Sequence, residues 1–319
     1  MQRAATSTKV RQYQIMKALA VLVFISSMLT ASGQSRTLKI VADSVPILSK
    51  VDDAFIPKNS NPFAIVAGGS KGIGFAIAEA LALRRYNLIL IARHWDGLLI
   101  AKQKLESTYG IHVEILQHDL SQKETAQKIA TWCITRNIAL KMLCNVAGMG
   151  GTHDYLKQPL DSMRYMVNVN VESCMALSML LLPLLEKNAP SFILNVSSMA
   201  GFAPIPTKNM YSATKSAVTF FSYNLRHQLK EKNISVSCLA PGPVFTKPSI
   251  KADTKKRLGF LGMQMAVPPK RVGEIAVRET LNGKMIIVPG TLAKITSGIV
   301  RILPRGVLAS VYDNLEKGK

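Results

Sequence analysis

An α/β protein built on one doubly wound parallel sheet is the fold class that the sequence predicts. Three observations lead there. Short apolar runs alternate with amphipathic stretches from Phe63 onward. The stretches between them are long enough for right-handed helical crossovers. A glycine-rich turn joins the first apolar run to the first helical one.

The elements follow in order. Lys58-Asn59-Ser60-Asn61-Pro62 reads as a linker, and the unbroken apolar run Phe63–Ala67 as a buried first strand. Ile73–Arg85 is predicted as the first helix, then strand Leu88–Ala92, helix Leu98–Thr108 and strand Val113–Gln117. Helix Gln122–Arg136 leads to strand Lys141–Asn145, and Asp161–Leu185 is predicted as one long helix. Strand Ser191–Val196, helix Ser212–Lys230 and strand Ile234–Leu239 come next, with helix Arg271–Leu281 and strand Met285–Val288 completing the pattern. No repeat at a solenoid period interrupts it.

Composition narrows the function classes. The chain has 319 residues, 48% of them hydrophobic, so a large core forms and global disorder is excluded. Lys and Arg number 40 against 19 Asp and Glu, a formal net charge of +21 that attracts anions. No zinc-finger spacing or aromatic-interleaved basic stripe accompanies that charge, so nucleic acid is not an expected partner. Cys133, Cys144, Cys174 and Cys238 each sit in an apolar run with no C-x-x-C pair. Buried free thiols are expected, with no metal site.

Arg3, Lys9, Arg11 and Lys17 precede the apolar run Ala18–Leu29, and small residues follow. This layout predicts a signal peptide or membrane anchor over 1–33. The run is short beside the roughly 20 residues of a spanning helix. Residues 34–60 are read as a linker, 61–290 as the single folded domain and 291–319 as an amphipathic tail. In the tail Leu292, Ile295, Ile299 and Ile302 fall at helical spacing among Lys294 and Arg301, before Pro304-Arg305 ends the run. A basic amphipathic helix suits an acidic lipid surface. Membrane association is therefore expected, with the side of the membrane open.

Three motifs carry chemistry. Gly68-Gly69-Ser70-Lys71-Gly72-Ile73-Gly74 lies between the first strand and first helix. Such a Rossmann-type turn needs glycine for its bend, for close backbone approach to a pyrophosphate and for helix–sheet packing. Tyr211-Ser212-Ala213-Thr214-Lys215 opens a helix and places Tyr211 and Lys215 on one face. Ser198, thirteen residues earlier, ends an apolar strand. A hydroxyl, a phenol and an ammonium can orient a carbonyl oxygen and protonate it as it gains charge.

Together these motifs resemble the short-chain dehydrogenase/reductase family over about Phe63–Val288, where Ser, Tyr and Lys occur with this spacing. The details are similar to its 17β-hydroxysteroid dehydrogenase and long-chain 3-ketoacyl reductase branch. Ala67 stands where the family has Thr, and Val146 departs from its N-N-A-G pattern. The resemblance implies a fourth catalytic member, Asn170, by its distance from Pro183, with Asn168 as the competing choice. It implies Asp119 against an adenine ring, Asn145 as a brace of the central strand, and Ala147 and Gly148 beside the cofactor. It also implies that Pro241, Gly242, Val244 and Thr246 form the nicotinamide turn, with Tyr211 and Lys215 touching the cofactor as well.

Arg93 follows the second strand and no carboxylate occurs before Asp96, while Lys71 lies in the glycine turn. Two cations without an acid point to NADP(H) rather than NAD(H). Phe245, Phe260, Leu261, Met263, Met265 and Val267, with Met149 and Met199, are expected to line a pocket for a hydrophobic ketone or acyl group. An NADPH-dependent oxidoreductase interconverting such a carbonyl and its secondary alcohol is thus the expectation, with a homodimer as a further one. A non-catalytic NADP-binding sensor on the same fold is the alternative, though both Tyr211 and Lys215 are present.

Overall fold

The computed structural model describes residues 60–151 and 155–317. The expected segment 1–33 and nearly all of the linker lie outside them. β1 (Phe63–Ala67), β2 (Asn87–Ala92), β3 (Val113–Gln117), β4 (Leu140–Asn145), β5 (Ser191–Val196), β6 (Ile234–Leu239) and β7 (Ile286–Ile287) form one parallel sheet. Its order is β3-β2-β1-β4-β5-β6-β7. The order reverses between β1 and β4. At such a switch point the loops leaving neighbouring strands diverge and open a crevice at the strands' C-terminal ends.

The inner strands β1, β2, β4, β5 and β6 are mostly buried because both faces of the sheet are covered. On one face α1 (Gly72–Ala82), α2 (Trp95–Tyr109) and α9 (Pro269–Leu281) bury Ile77, Leu81, Leu98, Leu105 and Val272 against Ala64, Val66, Leu88 and Leu90. On the other, α3 (Thr125–Thr135), α5 (Ser173–Leu180) and α6 (Leu182–Lys187) bury Ile129, Leu177 and Leu184 against Phe63, Ile65 and Ile89. The four cysteines are free and buried, as expected.

The predicted long helix 161–185 is not continuous. It begins as α4 (Leu160–Val167), passes through a π-helical turn over Asn168–Glu172, and resumes as α5 and α6. Periodicity cannot reveal one wide turn inside an otherwise helical apolar pattern. α7 (Asn209–Gln228) crosses behind β5 and β6. The segment that carries the expected pocket residues Phe260, Leu261 and Met263 is α8 (Pro248–Gln264), kinked at Gly259, where φ is +56°.

The tail forms α10 (Thr291–Ile302), and after Pro304 a second helix, α11 (Arg305–Lys317), which the sequence reading did not separate. Ala293, Val300 and Leu308 bury against Phe202, Ala240, Met265 and Val288 in a third apolar cluster. Among the described residues no helix is long and apolar enough to cross a membrane.

Candidate active site

The glycine turn is closed by backbone proximity. Gly68 N donates to Ile91 O at 2.7 Å, and Gly68 takes φ +90°. A Cβ there would lie 2.8 Å from Ala147 N, so no side chain fits between the turn and the loop after β4. That loop is pinned in return: Val146 N and Ala147 N both donate to Ala67 O, at 2.9 and 2.7 Å. A Cβ on Gly74 would come within 2.0 Å of Gly68 O. Lys71, with an exposed side chain, is the extended residue before α1, while Ser70 lies half-buried beside it and Ile73 packs onto the core. A side-chain-free cradle at a helix N-terminus suits a pyrophosphate, so the residues present fit a dinucleotide.

The outer rim comes from β2, β3 and α4. Arg93, just past β2, donates through Nη1 to the Tyr165 hydroxyl, and its guanidinium lies 5.7 Å from that ring's centroid. Gln117 Nε2 donates to Arg93 O at 3.1 Å, and Asp119 Oδ1 accepts from Ser121 N at 2.9 Å. Asn168 donates to Ser121 O at 3.2 Å and so ties α4 to the loop after β3.

The four residues expected to carry chemistry converge where β4 and β5 end. Tyr211 and Lys215 sit in the first two turns of α7, with the Lys215 Nζ 6.0 Å from the Tyr211 ring centroid. The Tyr211 phenol is hydrogen-bonded to Ser198, whose Oγ also accepts from Ala200 N at 3.1 Å. Lys215 is 4% exposed and donates to Val196 O at 2.8 Å. Asn170 grips the loop after β4, accepting from Met149 N at 2.7 Å and donating to Met149 O at 2.9 Å. It donates to Thr214 Oγ1 as well, at 3.0 Å. A Cβ on Gly148 would meet Lys215 Nζ at 3.3 Å and Asn170 Oδ1 at 3.4 Å, which places Asn170 rather than Asn168 beside the lysine.

Burial sets the protonation of this cluster. It pushes the Tyr211 phenol above its ordinary value, against the smaller lowering by the Ser198 hydrogen bond. Burial pushes the Lys215 ammonium down to about 8, the neighbouring Cys174 and Cys238 thiols acting weakly the other way. A cation close to a phenol ordinarily lowers its pKa. In the structure the charge is 6.0 Å from the ring centroid and engaged with Val196 O, and Tyr211 keeps its proton.

Asn145 is a brace, as expected. Its amide donates to Ser178 Oγ at 3.0 Å and Asn195 Oδ1 at 2.9 Å, while its own Oδ1 is buried without a protein partner. The residues expected to form the nicotinamide turn lie together: Met199 N donates to Pro241 O at 3.1 Å, and Thr246 N to Val244 O at 2.8 Å. A Cβ on Gly72 would meet Thr246 Cγ2 at 3.2 Å, and one on Gly242 would meet Met199 Sδ at 3.4 Å. Of the expected pocket residues, Met265 belongs to the third apolar cluster with Met199 packed against it. The Phe260 and Leu261 side chains lie outside the described ones.

Sequence reasoning missed Tyr165, Thr214 and Asn195. Thr214 stands inside the Tyr–Lys motif and Asn195 in the strand before Ser198, so proximity in sequence was a usable signal. Tyr165 meets Arg93 across 72 positions, and no local pattern announces it. Among the described residues no group of His, Cys, Asp and Glu could hold a metal ion.

The comparisons agree with this geometry. The pattern of the short chain dehydrogenase family matches residues 62–257. A very-long-chain 3-oxoacyl-CoA reductase of Rattus norvegicus is 30% identical over 228 residues, 67% of this chain and 72% of that one. A hydroxysteroid dehydrogenase-like protein of Gallus gallus is 32% identical over 214 residues, 66% of this chain and 64% of that one. The fold matches a short-chain dehydrogenase from Sphingobium yanoikuyae in complex with NADPH, with a TM-score of 0.64 at 22% identity, covering 76% of this chain and 96% of that one. With strand order, glycine cradle and the Ser198–Tyr211 contact in one crevice, the chain belongs to the short-chain dehydrogenase family.

Proposed function

We propose that the protein is an NADPH-dependent reductase of hydrophobic ketones or 3-ketoacyl groups. The observation that carries this is the gathering of Ser198, Tyr211 and Lys215 at the mouth of a dinucleotide cradle. Bound NADPH supplies a hydride to the carbonyl carbon, leaving NADP⁺ and, after one proton is added to oxygen, a secondary alcohol. Ser198 and Tyr211 orient the carbonyl oxygen by hydrogen bonding, and Tyr211 gives it that proton. Lys215, its Nζ 6.0 Å from the Tyr211 ring centroid, supplies positive charge to the site and would hold the nicotinamide ribose of a bound dinucleotide. Asn170 fixes the Gly148–Met149 backbone that bounds the crevice and, with Thr214, stands beside Lys215 on the path for reprotonation. Gly68, Ser70, Lys71, Gly72, Ile73 and Gly74 hold the pyrophosphate. Asp119, Asn145, Ala147, Gly148, Pro241, Gly242, Val244 and Thr246 complete the dinucleotide site, and Arg93 with Lys71 takes the 2′-phosphate.

The apolar substrate class is supported by Met199, Met265 and the third apolar cluster beside the site, and by the oxoacyl-CoA and hydroxysteroid names of the relatives. The reading extends over 61–290 as catalytic domain, to a homodimer, and to a membrane-associated location. For the last, α10 turns Ile295, Ile299 and Ile302 to solvent at 58%, 55% and 85% exposure, beside exposed Lys294 and Arg301 and with no acidic residue in the helix. The deciding experiment is NADPH oxidation against a panel of ketones, 3-ketoacyl thioesters and steroids. Turnover of none of them would reject the proposal.

A further inference from the structure

Arg93 is the cation on which the NADPH preference turns, and an exposed arginine at a strand end ordinarily samples many rotamers. In this fold it does not stand alone. Its backbone carbonyl accepts from Gln117 Nε2 at 3.1 Å, which fixes the end of β2 against β3. Its Nη1 donates to the Tyr165 hydroxyl, and its guanidinium lies 5.7 Å from the centroid of the Tyr165 ring. Tyr165 is itself placed from below. It lies in the last turn of α4, three residues before Asn168, whose side chain holds Ser121 O at 3.2 Å. Ser121 N in turn caps the Asp119 carboxylate at 2.9 Å. The ends of β2 and β3 and the end of α4 are therefore joined into one rim through Arg93, Tyr165, Asn168, Ser121 and Asp119.

The chemistry of the guanidinium gives this rim a role. Arginine presents five N–H donors in a rigid planar fork. A fork fixed by one Nη1 donor to a phenol keeps its other donors available for a bidentate grip on a phosphate, where geometry matters as much as charge. A phenol oxygen also accepts from the guanidinium without neutralising it, as a carboxylate would. The partly buried Tyr165 ring adds a cation–π contact that further restricts the guanidinium.

We propose that Tyr165 is a positioning residue for cofactor specificity: it holds Arg93 oriented for the 2′-phosphate, so the preference for NADPH over NADH depends on the Tyr165 hydroxyl as well as on the arginine. The proposal rests on the NADPH reading above. Its hydroxyl is engaged with Arg93, and the hydrogen bonds that hold Lys215 and the glycine turn run to Val196 O and Ile91 O, so removing that hydroxyl should leave proton donation and pyrophosphate binding intact.

The test is equilibrium binding by calorimetry with NADPH, NADH and 2′,5′-ADP, on the parent and on Tyr165→Phe. Losing one hydrogen bond of ordinary strength should weaken NADPH and 2′,5′-ADP by about three- to tenfold and leave NADH within about twofold. In an Arg93→Ala background the same substitution should change none of the three. A parent that binds 2′,5′-ADP and prefers NADPH, with a Tyr165→Phe variant of unchanged affinities, overturns the role of Tyr165 alone. Equal weakening of NADPH and NADH, or a loss that persists in the Arg93→Ala background, also overturns it, because that is what a merely structural residue would do. A parent that binds NADPH and NADH alike overturns the Arg93 reading and this proposal with it. Tyr165→Leu, which removes ring and hydroxyl together, should lose at least as much of the preference as Tyr165→Phe. A Tyr165→Leu variant that keeps the parent's preference overturns the proposal.

Discussion

Asn170 holds both backbone polar groups of Met149, taking its N–H on Oδ1 at 2.7 Å and reaching its carbonyl through Nδ2 at 2.9 Å. A single side chain thus replaces a strand partner for the loop after β4. Asn170→Asp keeps the acceptor and loses both amide donors, leaving carboxylate oxygen facing Met149 O or Thr214 Oγ1 in a site 2% exposed. Stability should fall by about 1–3 kcal/mol, read from urea unfolding at constant m. An unfolding midpoint equal to the parent's would show that the grip on Met149 contributes nothing.

Tyr211→Phe keeps the ring and deletes the proton donor. Turnover should drop by about 10²–10⁴-fold while NADPH affinity stays within a few-fold of the parent. Steady-state kinetics with a responsive ketone, paired with a binding titration, check both halves. Near-normal turnover would remove Tyr211 from the reaction.

Arg93→Asp exchanges a phosphate-attracting cation for an acceptor suited to a ribose hydroxyl. The ratio of kcat/KM for NADPH over NADH should fall below one. A ratio that stays with the parent's would assign the 2′-phosphate to another cation, Lys71 being the first to examine.

Lys215 is charged in the unfolded chain up to pH about 10.5 but holds its charge in the fold only to about 8. Between those values the unfolded state binds more protons, so this residue makes stability rise with pH across that window; below pH 8 its full penalty applies. The penalty has a ceiling of about 3 kcal/mol, offset in part by the Val196 hydrogen bond. Lys215→Met should therefore be inactive yet at least as stable as the parent at pH 7, with its advantage shrinking by pH about 10. Denaturant unfolding at the two pH values measures it. A stability difference independent of pH would contradict the burial argument.

The exposed stripe of Ile295, Ile299 and Ile302 predicts sedimentation with vesicles rich in acidic lipid. Replacing the three isoleucines by serine should reduce binding severalfold at low salt with NADPH affinity unchanged. Equal binding by parent and variant would assign the stripe to another partner.

Much of this was legible in the sequence because the relevant signals are local. Parallel strands are short and mostly apolar, and Phe63–Ala67, Ser191–Val196 and Ile234–Leu239 stand where such runs predict, as does the more polar edge strand Val113–Gln117. The Tyr211–Lys215 pair needs only a helix to share a face. What stayed hidden is what depends on partners far along the chain. The π turn over Asn168–Glu172 leaves the apolar pattern unbroken, and the Arg93–Tyr165 contact joins two elements whose separation no motif spans. Protonation was also out of reach, since the value for Lys215 follows from burial rather than from its neighbours in sequence.

Arg301 stacks over the Phe202 ring at 4.2 Å and Arg305 donates to Phe202 O, so α10 and α11 clasp the short turn that follows Ser198. These helices come later in the chain than every strand of the sheet. On the ribosome the cofactor cradle and the Tyr–Lys helix therefore emerge well before the residues that brace the substrate side. The backing of the cradle also comes late, because α9 packs onto α1 so closely that a Cβ on Gly273 would lie 2.3 Å from Ala76 O, so the nucleotide cradle and the far wall of the pocket are completed by neighbouring stretches near the end of the chain.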